Sequence, residues 1–236
     1  MKASFYVAAL GASNQQERLN VVANNLANVN SQGYQTKDLS FIELVRYNLN
    51  APEQRKTELQ AGAGVTIKSI TSNFEKGAIQ ETSSQYDYAI MEKGFFMLQD
   101  RETNAITYTR SGHFILSKNG DKTYLASENG KYVLDENQQP IEVVDGKLQS
   151  DIGVVNFTNK HGLENIGSNE YRATESNGRP ILIRNPQLKD HAVELSNVDV
   201  SSEYMKMIES QRAYSYALKM VQTSDEIESV INNLRG

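Results

Sequence analysis

Cysteine and tryptophan are absent from this 236-residue chain, and proline occurs only four times. Without cysteine there is no disulfide scaffold and no thiolate metal site. Histidine is scarce: His113, His161 and His191 are the only three, and none stands in a spacing such as HExxH that puts two imidazoles on one metal. Positive charge is in deficit too. The formal net charge of -5 argues against a nucleic-acid partner, whose binders carry a basic face. No apolar run approaches the roughly 18 residues that a transmembrane helix needs. The opening MKASFYVAALGAS has one lysine and an apolar run only from Phe5 to Leu10, and a helical pattern continues through it. A cleaved signal peptide is therefore not expected.

Motifs that carry chemistry are missing as well. GAG at 62–64 lacks the third glycine of a dinucleotide loop and leads into the strand-like VTIKSI, so it reads as a turn. Neither GxSxG nor GxxxxGK[ST] occurs. DRETN (100–104) and DENQQ (135–139) do not continue as calcium loops and read as hairpin tips. We expect no catalytic residue, metal ligand, cofactor or small-molecule substrate, and no enzyme.

What is present falls into three textures. Residues 3–29 read as one helix: Leu19, Val22, Leu26 and Val29 share an arc of about 80° at 100° per residue. Asn20, Asn24 and Asn28 lie four apart on the other side. SQGY then supplies a turn, with Gly33 free to take a positive φ. From 36 to 195 the pattern changes to short runs rich in Tyr, Phe, Ile, Val and Thr, such as YDYAIM, FFMLQ, AITYTR, HFILS and KYVLD, punctuated by glycine. This is the texture of antiparallel strands, and SKNGDK and ENGK each hold the Asn-Gly pair of a tight hairpin. LSFIELVRYNL (39–49) reads as a short helix ending before Pro52. In the last forty residues Ala213, Ala217, Met220, Ser224, Ile227, Ile231 and Leu234 form a heptad-like stripe. Ser201 or Ser202 is placed to cap that helix ahead of Glu203, and Arg235 suits the dipole at its end.

The expected fold is α+β: long N- and C-terminal helices paired as a coiled-coil stalk, with a central, mostly antiparallel β domain. The divisions are an N-terminal helix (1–34), an extended linker (35–72), a β-rich outer domain (73–186), and a return segment with the C-terminal helix (187–236). Each helix alone is marginal in water, so both ends are expected to need partners. The asparagine row is open to two readings, an uncharged solvated face or an interface. A net hydrogen bond adds only about 1 kcal/mol while an unpaired buried amide costs about 1–3, so amides at a helix contact fix register more than they add affinity.

ANNLANVNSQGYQ closely resembles the N-terminal signature of bacterial flagellar rod and hook proteins. The segment SNVDVSSEYMKMIESQRAYSYALKMVQTSDEIESVINNL resembles that family's C-terminal segment, with SNV, then MI, QRAY and a T-x-DE helix. YDYAIMEKGFFMLQ and ITYTRSGHFILSKNG resemble its β-domain motifs. The resemblance covers nearly the whole chain and is greatest to rod members, distal before proximal. It implies a structural axial subunit of the basal body in the cell envelope. Such subunits are exported without a cleaved signal through the flagellar type III apparatus. They assemble helically with copies of themselves, with other rod and hook proteins and within ring or bushing proteins, their terminal helices forming an inner coiled-coil tube. It also implies the interface residues. At the N-terminal end these are Leu19, Val22, Asn24, Asn25, Leu26, Ala27, Asn28, Val29, Asn30, Gly33 and Tyr34. At the other end they are Ser196, Asn197, Val198, Met207, Ile208, Gln211, Arg212, Ala213, Tyr214, Thr223, Ile227, Ile231 and Leu234. A second class of function stays open: a secreted binding module on a helical stalk, with Tyr86, Tyr88, Tyr108 and Tyr132 lining its site.

Overall fold

Two long helices, α1 (Lys2–Ala27) and α2 (Val200–Arg235), bracket a series of short strands in the computed structural model, which describes residues 2–44, 47, 48, 60, 61 and 64–235. The class is α+β with a mostly antiparallel β region, as expected. The chain divides into two compact units. One holds Met1–Ala27, Lys37–Thr71 and Asp199–Gly236; the other holds Asn28–Thr36 and Ser72–Val198.

In the first unit α1 and α2 run in opposite senses: Asn25 meets Glu203, and seven residues earlier Arg18 meets Glu209. Ala12, Val21 and Val22 of α1 are buried. The row of α2 that is covered runs through Glu203, Met207, Ser210, Tyr214, Ala217, Val221 and Ser224, a four-three alternation that keeps one side of a helix in line. Its middle member Ser210 is fully buried and closes its own hydroxyl onto the Lys206 carbonyl at 2.7 Å. The start of α2 corrects the sequence reading. Asp199, not Ser201 or Ser202, is the cap: its carboxylate accepts the Ser201 N–H and its carbonyl accepts the Glu203 N–H, each at 3.0 Å. Aspartate is among the strongest residues at that position.

The segment read as a short helix is a strand from Lys37 to Glu43, paired with the strand Val65–Ser72. Leu39 and Phe41 are half-buried while Ser40 and Ile42 between them are exposed, which is the period of two of a pleated strand. The asparagine before it decides the conformation. Asn25 accepts the Lys37 N–H and donates to the Lys37 carbonyl, both at 2.9 Å, so its amide takes the place of a neighbouring strand. Residues 45, 46 and 49 of that segment, Pro52, and Gly62 and Ala63 of the GAG turn lie outside the described residues.

The second unit is built around the strand Phe95–Gln99. In its sheet the order is Glu164–Gly167, Glu170–Arg172, Ile106–Thr109, Phe95–Gln99, Tyr132–Val133, Lys122–Ser127 and Phe114–Asn119. Phe96 and Leu98 point into one hydrophobic cluster, with Ile90, Phe114, Leu125, Val133 and Val154. Phe95 and Met97 point into a second, with Tyr108, Leu134, Val155, Phe157 and Tyr171. A strand buried on both faces has no polar alternation, which is why FFML reads as a continuous apolar run. Both Asn-Gly hairpins are present: Asn119 pairs with Lys122 around Gly120, and Ser127 with Lys131 around Gly130. The loops at Asp100 and Asp135 are tips in which each carboxylate accepts two backbone N–H groups.

Tyr171 gives this unit a pH limit. Burial pushes its phenol up to about 12, against weaker downward pulls from hydrogen bonds with Ser72 and Asn165. In the unfolded chain tyrosine ionises near 10. Between those values the unfolded state releases a proton that the folded state keeps, so stability falls as pH rises through that window. Denaturant unfolding followed from pH 9 to 12 should show this fall, and Tyr171→Phe should flatten it.

Candidate functional site

The residues singled out at the two ends of the chain fall into two polar clusters and one open helix face. The first cluster lies in the unit that holds Asn28–Thr36. The chain leaves α1 through a turn in which the Ser31 N–H donates to the Asn28 carbonyl at 3.1 Å. Gly33 follows with φ +65°, and its N–H donates to the Glu194 carbonyl at 2.7 Å. A Cβ there would come within 2.3 Å of the Ser111 nitrogen, so both the conformation and the space require glycine. Tyr34 is buried behind it.

Asn197, from SNV, then meets the segment after Gly33. Its side-chain oxygen accepts the Thr36 N–H at 2.7 Å and the Thr36 hydroxyl at 2.6 Å. Its amide nitrogen donates to the carbonyls of Asn73 and Glu75 at 2.8 and 2.9 Å. Gln35 and Glu194, both essentially inaccessible, bond at 3.2 Å. The Glu194 carboxylate also accepts the Gly77 N–H at 3.1 Å and pairs with the Arg110 guanidinium. Arg110 in turn donates to the carbonyls of Glu92 and Gly94 at 3.1 and 2.7 Å. Each part of YTR-S-G-H-F has a task here. Tyr108 and Phe114 fill the two clusters, and Arg110 neutralises Glu194. Gly112 lets the Tyr88 carbonyl pass 1.6 Å from where a Cβ would stand.

The second cluster belongs to the helical unit. Asn25, 1% exposed, bonds the Lys37 backbone as described and donates to Glu203 at 3.0 Å. Lys206 donates to the other Glu203 oxygen at 2.7 Å. Burial works against the Lys206 charge, yet Glu203 and Asp38 outweigh it and hold its pKa above the usual lysine value. Asn14 donates to the Val65 carbonyl. Asn14, Asn25 and Asn197 are thus used inside the chain. Asn20 and Asn24 sit on the exposed side of α1, and Asn28 is half-buried at its end.

Of the residues expected at an interface, Val22, Asn25, Gly33 and Tyr34 are buried within the chain. Leu19, Leu26, Asn28, Val29, Ser196, Asn197, Val198, Met207, Ala213, Tyr214 and Ile231 are half-buried. Asn24, Ala27, Asn30, Ile208, Gln211, Arg212, Thr223, Ile227 and Leu234 are exposed. The single stripe read along the end of α2 divides. Ala213, Ala217, Ser224 and Ile231 are half-buried, whereas Met220, Ile227 and Leu234 are exposed by 55%, 46% and 82%. The reason is that α1 covers only one flank of that stripe. Met205, Ile208, Tyr216 and Val230 extend the exposed flank into an apolar face, on the side of α2 opposite to Glu203 and Ser210 at 100° per residue. Residues 225–230 are all exposed, as α2 is ten residues longer than its partner.

Sequence reasoning passed over Arg110, Glu194, Gln35 and Thr36. The usable signal was a lone glutamate inside the apolar strand HAVEL. The four tyrosines considered for a binding site do not form one. Tyr108 and Tyr132 are buried, Tyr86 and Tyr88 pack against the core, and Tyr132 stacks with Tyr124 at 4.9 Å under Arg101. His113 is held by Asp87 at 2.7 Å and His191 by the Ser84 carbonyl at 2.9 Å. Among the described residues no cluster of three His, Cys, Asp or Glu side chains is placed to hold a metal, and no helix is long and apolar enough to cross a membrane.

Removing Glu194 as a charge should leave Arg110 buried without a counter-ion, a loss of about 3–5 kcal/mol. Urea unfolding of Glu194→Gln should show it. Arg110→Met added to Glu194→Gln should recover part of that stability and not all, because the Glu92 and Gly94 carbonyls then lose their donor.

Two sequence families match. Residues 5–35 match the family described as flagella basal body rod protein, and residues 189–234 match the flagellar basal body rod FlgEFG protein C-terminal family. Over its length the chain is 33% identical to the flagellar basal-body rod protein FlgG of Buchnera aphidicola subsp. Baizongia pistaciae, covering 95% of this chain and 96% of that one. FlgG of Bacillus subtilis is 30% identical with all of both chains covered, and FlgG of Borreliella burgdorferi is 30% identical over 100% and 99%. The Bacillus alignment runs over 268 positions against a chain of 236 residues, so that relative carries insertions that this chain lacks.

Proposed function

Because the chain belongs to the flagellar basal-body rod protein family, we propose that it is a structural axial subunit that polymerises helically into the distal rod. The observation that carries this reading is the second apolar face of α2. A helix that is apolar on two sides is normally enclosed on two sides, and α1 encloses one. Other copies of the chain supply the remainder, so that α1 and α2 pair as a coiled coil within a tube of such pairs. Asn24, Ile208, Arg212, Ile227 and Leu234 then make contacts between subunits, while Val22, Asn25, Gly33 and Tyr34 shape the subunit that makes them. Neighbouring rod and hook proteins continue the axis. The chain reaches it through the flagellar type III export apparatus without a cleaved signal, and ring or bushing proteins surround it.

The absence of an aromatic platform on the β unit removes the main support for a binding module. Deletion of the gene in the source bacterium should give non-motile cells whose purified basal bodies end in a truncated rod without a hook. Ile208→Glu or Tyr216→Glu should reproduce that phenotype while the circular dichroism of the purified subunit stays unchanged. Motile deletion cells with a complete rod would refute the axial role. Normal motility in both point variants would refute this face as the contact.

A further inference from the structure

The β unit carries two grooves of opposite charge. The first encloses about 760 Å³, and Lys76, Lys93, Arg110, Lys160 and His161 line it, against only Glu75 and Glu92. Arg110 is neutralised by Glu194, and Lys76 donates to the Met91 carbonyl at 3.3 Å. Lys93 and Lys160 have no carboxylate in ion-pair contact among the described residues. Burial lowers the Lys160 pKa, and the charges of Arg110 and Lys93 lower it further. With Arg110 neutralised, three lysines stand against two glutamates in this groove, so it keeps a positive excess in a protein whose net charge is negative.

The second groove encloses about 550 Å³. Glu136, Asp151 and Asp190 line it with Tyr88, Gln149 and Ser150, and no lysine or arginine does. None of the three carboxylates has an ion-pair partner among the described residues. Burial raises the Tyr88 pKa, and the charge of Asp190 adds to that shift. The two grooves lie at opposite ends of the same buried strand. Ile152, just before Val154–Asn156, lines the acidic groove; Asn156 and Thr158 line the basic one. Val154 and Val155 between them are fixed in the core by pairing with Phe96 and Phe95. One copy cannot bring its own two grooves together.

We propose that the basic groove of one copy receives the acidic rim of a second copy, with Lys93 and Lys160 facing Asp151 and Asp190. The inference rests on the axial-subunit reading and assigns the β unit its own share of the assembly. Two different surfaces of one molecule make a heterologous contact, and such a contact propagates as an open helical array when its rotation does not close. Long-range attraction between the two grooves would also guide an incoming subunit into register before the apolar helix faces meet.

The chain contains no cysteine, which gives the test a clean background. Lys93→Cys and Asp151→Cys are introduced together in the source bacterium, and purified basal bodies are treated with a short bismaleimide. The expected product is a ladder of dimers, trimers and higher species, with no ladder from either single variant. Dimers from Lys93→Cys alone would indicate a like-to-like contact and overturn the proposal. Rods that contain the chain and yield no cross-linked species would overturn it too, while leaving the axial role intact; complete rods without the chain would instead sink the axial role. A charge exchange supplies the second measurement. Lys93→Glu with Lys160→Glu should abolish motility, as should Asp151→Lys with Asp190→Lys, and all four together should regain it. Loss from the lysine pair alone, with the aspartate pair silent, would assign the basic groove to some other anion and reject this contact. Failure of the fourfold variant to regain motility, with its circular dichroism unchanged, would reject it equally.

Discussion

The β unit depends on one carboxylate with no access to water. Glu194 is fully buried, and a charge in that position is tolerable only when its lone pairs are matched by donors. Those donors come from distant places in the chain: Arg110 from the hairpin motif, Gly77 from the segment before the strand Ile79–Glu81, and Gln35 from the turn after α1. Arg110 then fixes the Glu92 and Gly94 carbonyls at the entrance to the central strand. A buried ion pair of this kind is a weak source of stability and a demanding geometric condition. Four separate segments must be correctly placed at once for it to form. Asn197, three residues on, does similar work with neutral groups, joining Thr36, Asn73 and Glu75.

The same logic explains the density of amides around the ends of the helices. Asparagine is a poor helix former because it competes for backbone hydrogen bonds, and here that property is put to use. Asn25 satisfies both backbone groups of Lys37 and still reaches Glu203. An aliphatic residue at that site would leave a carbonyl, an N–H and a buried carboxylate oxygen without partners. The cost of such omissions, about 1–3 kcal/mol for each buried group, is larger than the modest helix propensity that asparagine gives up.

Periodicity made the large elements legible. The helical stretch of residues 3–29, the strand texture of the middle and the two Asn-Gly hairpins are all properties of neighbouring residues, and all appear in the fold. The reading of LSFIELVRYNL failed because a seven-residue strand and a short helix present the same few apolar side chains. What settles the matter is Asn25, twelve residues earlier, acting as a surrogate strand. The cap of α2 was misplaced by a few residues for a related reason: Asp199 and the two serines are all competent, and the geometry of the incoming chain chooses. The lone glutamate in HAVEL stands out, but its meaning is a contact with Arg110 across 84 positions, and nothing near it in the sequence names that partner. The α2 stripe was visible, but which flank α1 would cover was not. The close approach occurs at Ser210, a small residue that hydropathy does not mark.

That last difference bears on how the molecule works. The row of α2 that α1 covers mixes Glu203, Ser210 and Ser224 with Met207, Tyr214, Ala217 and Val221. Six further apolar side chains, Met205, Ile208, Tyr216, Met220, Ile227 and Val230, are left outward. For a protein that functions alone this exposed face is a loss, since covering it would add hydrophobic stabilisation. For one that assembles it is the favourable arrangement. The intramolecular contact is specified by hydrogen bonds and close fit, which are satisfied in a single copy. On the proposed assembly, the less directional apolar driving force is left for the encounter with other copies. Anything that binds the folded form and not the unfolded one stabilises it by mass action. In the proposed assembly the helices would thus gain stability from their neighbours, while the β unit already has its cores closed and its buried carboxylate neutralised within one chain.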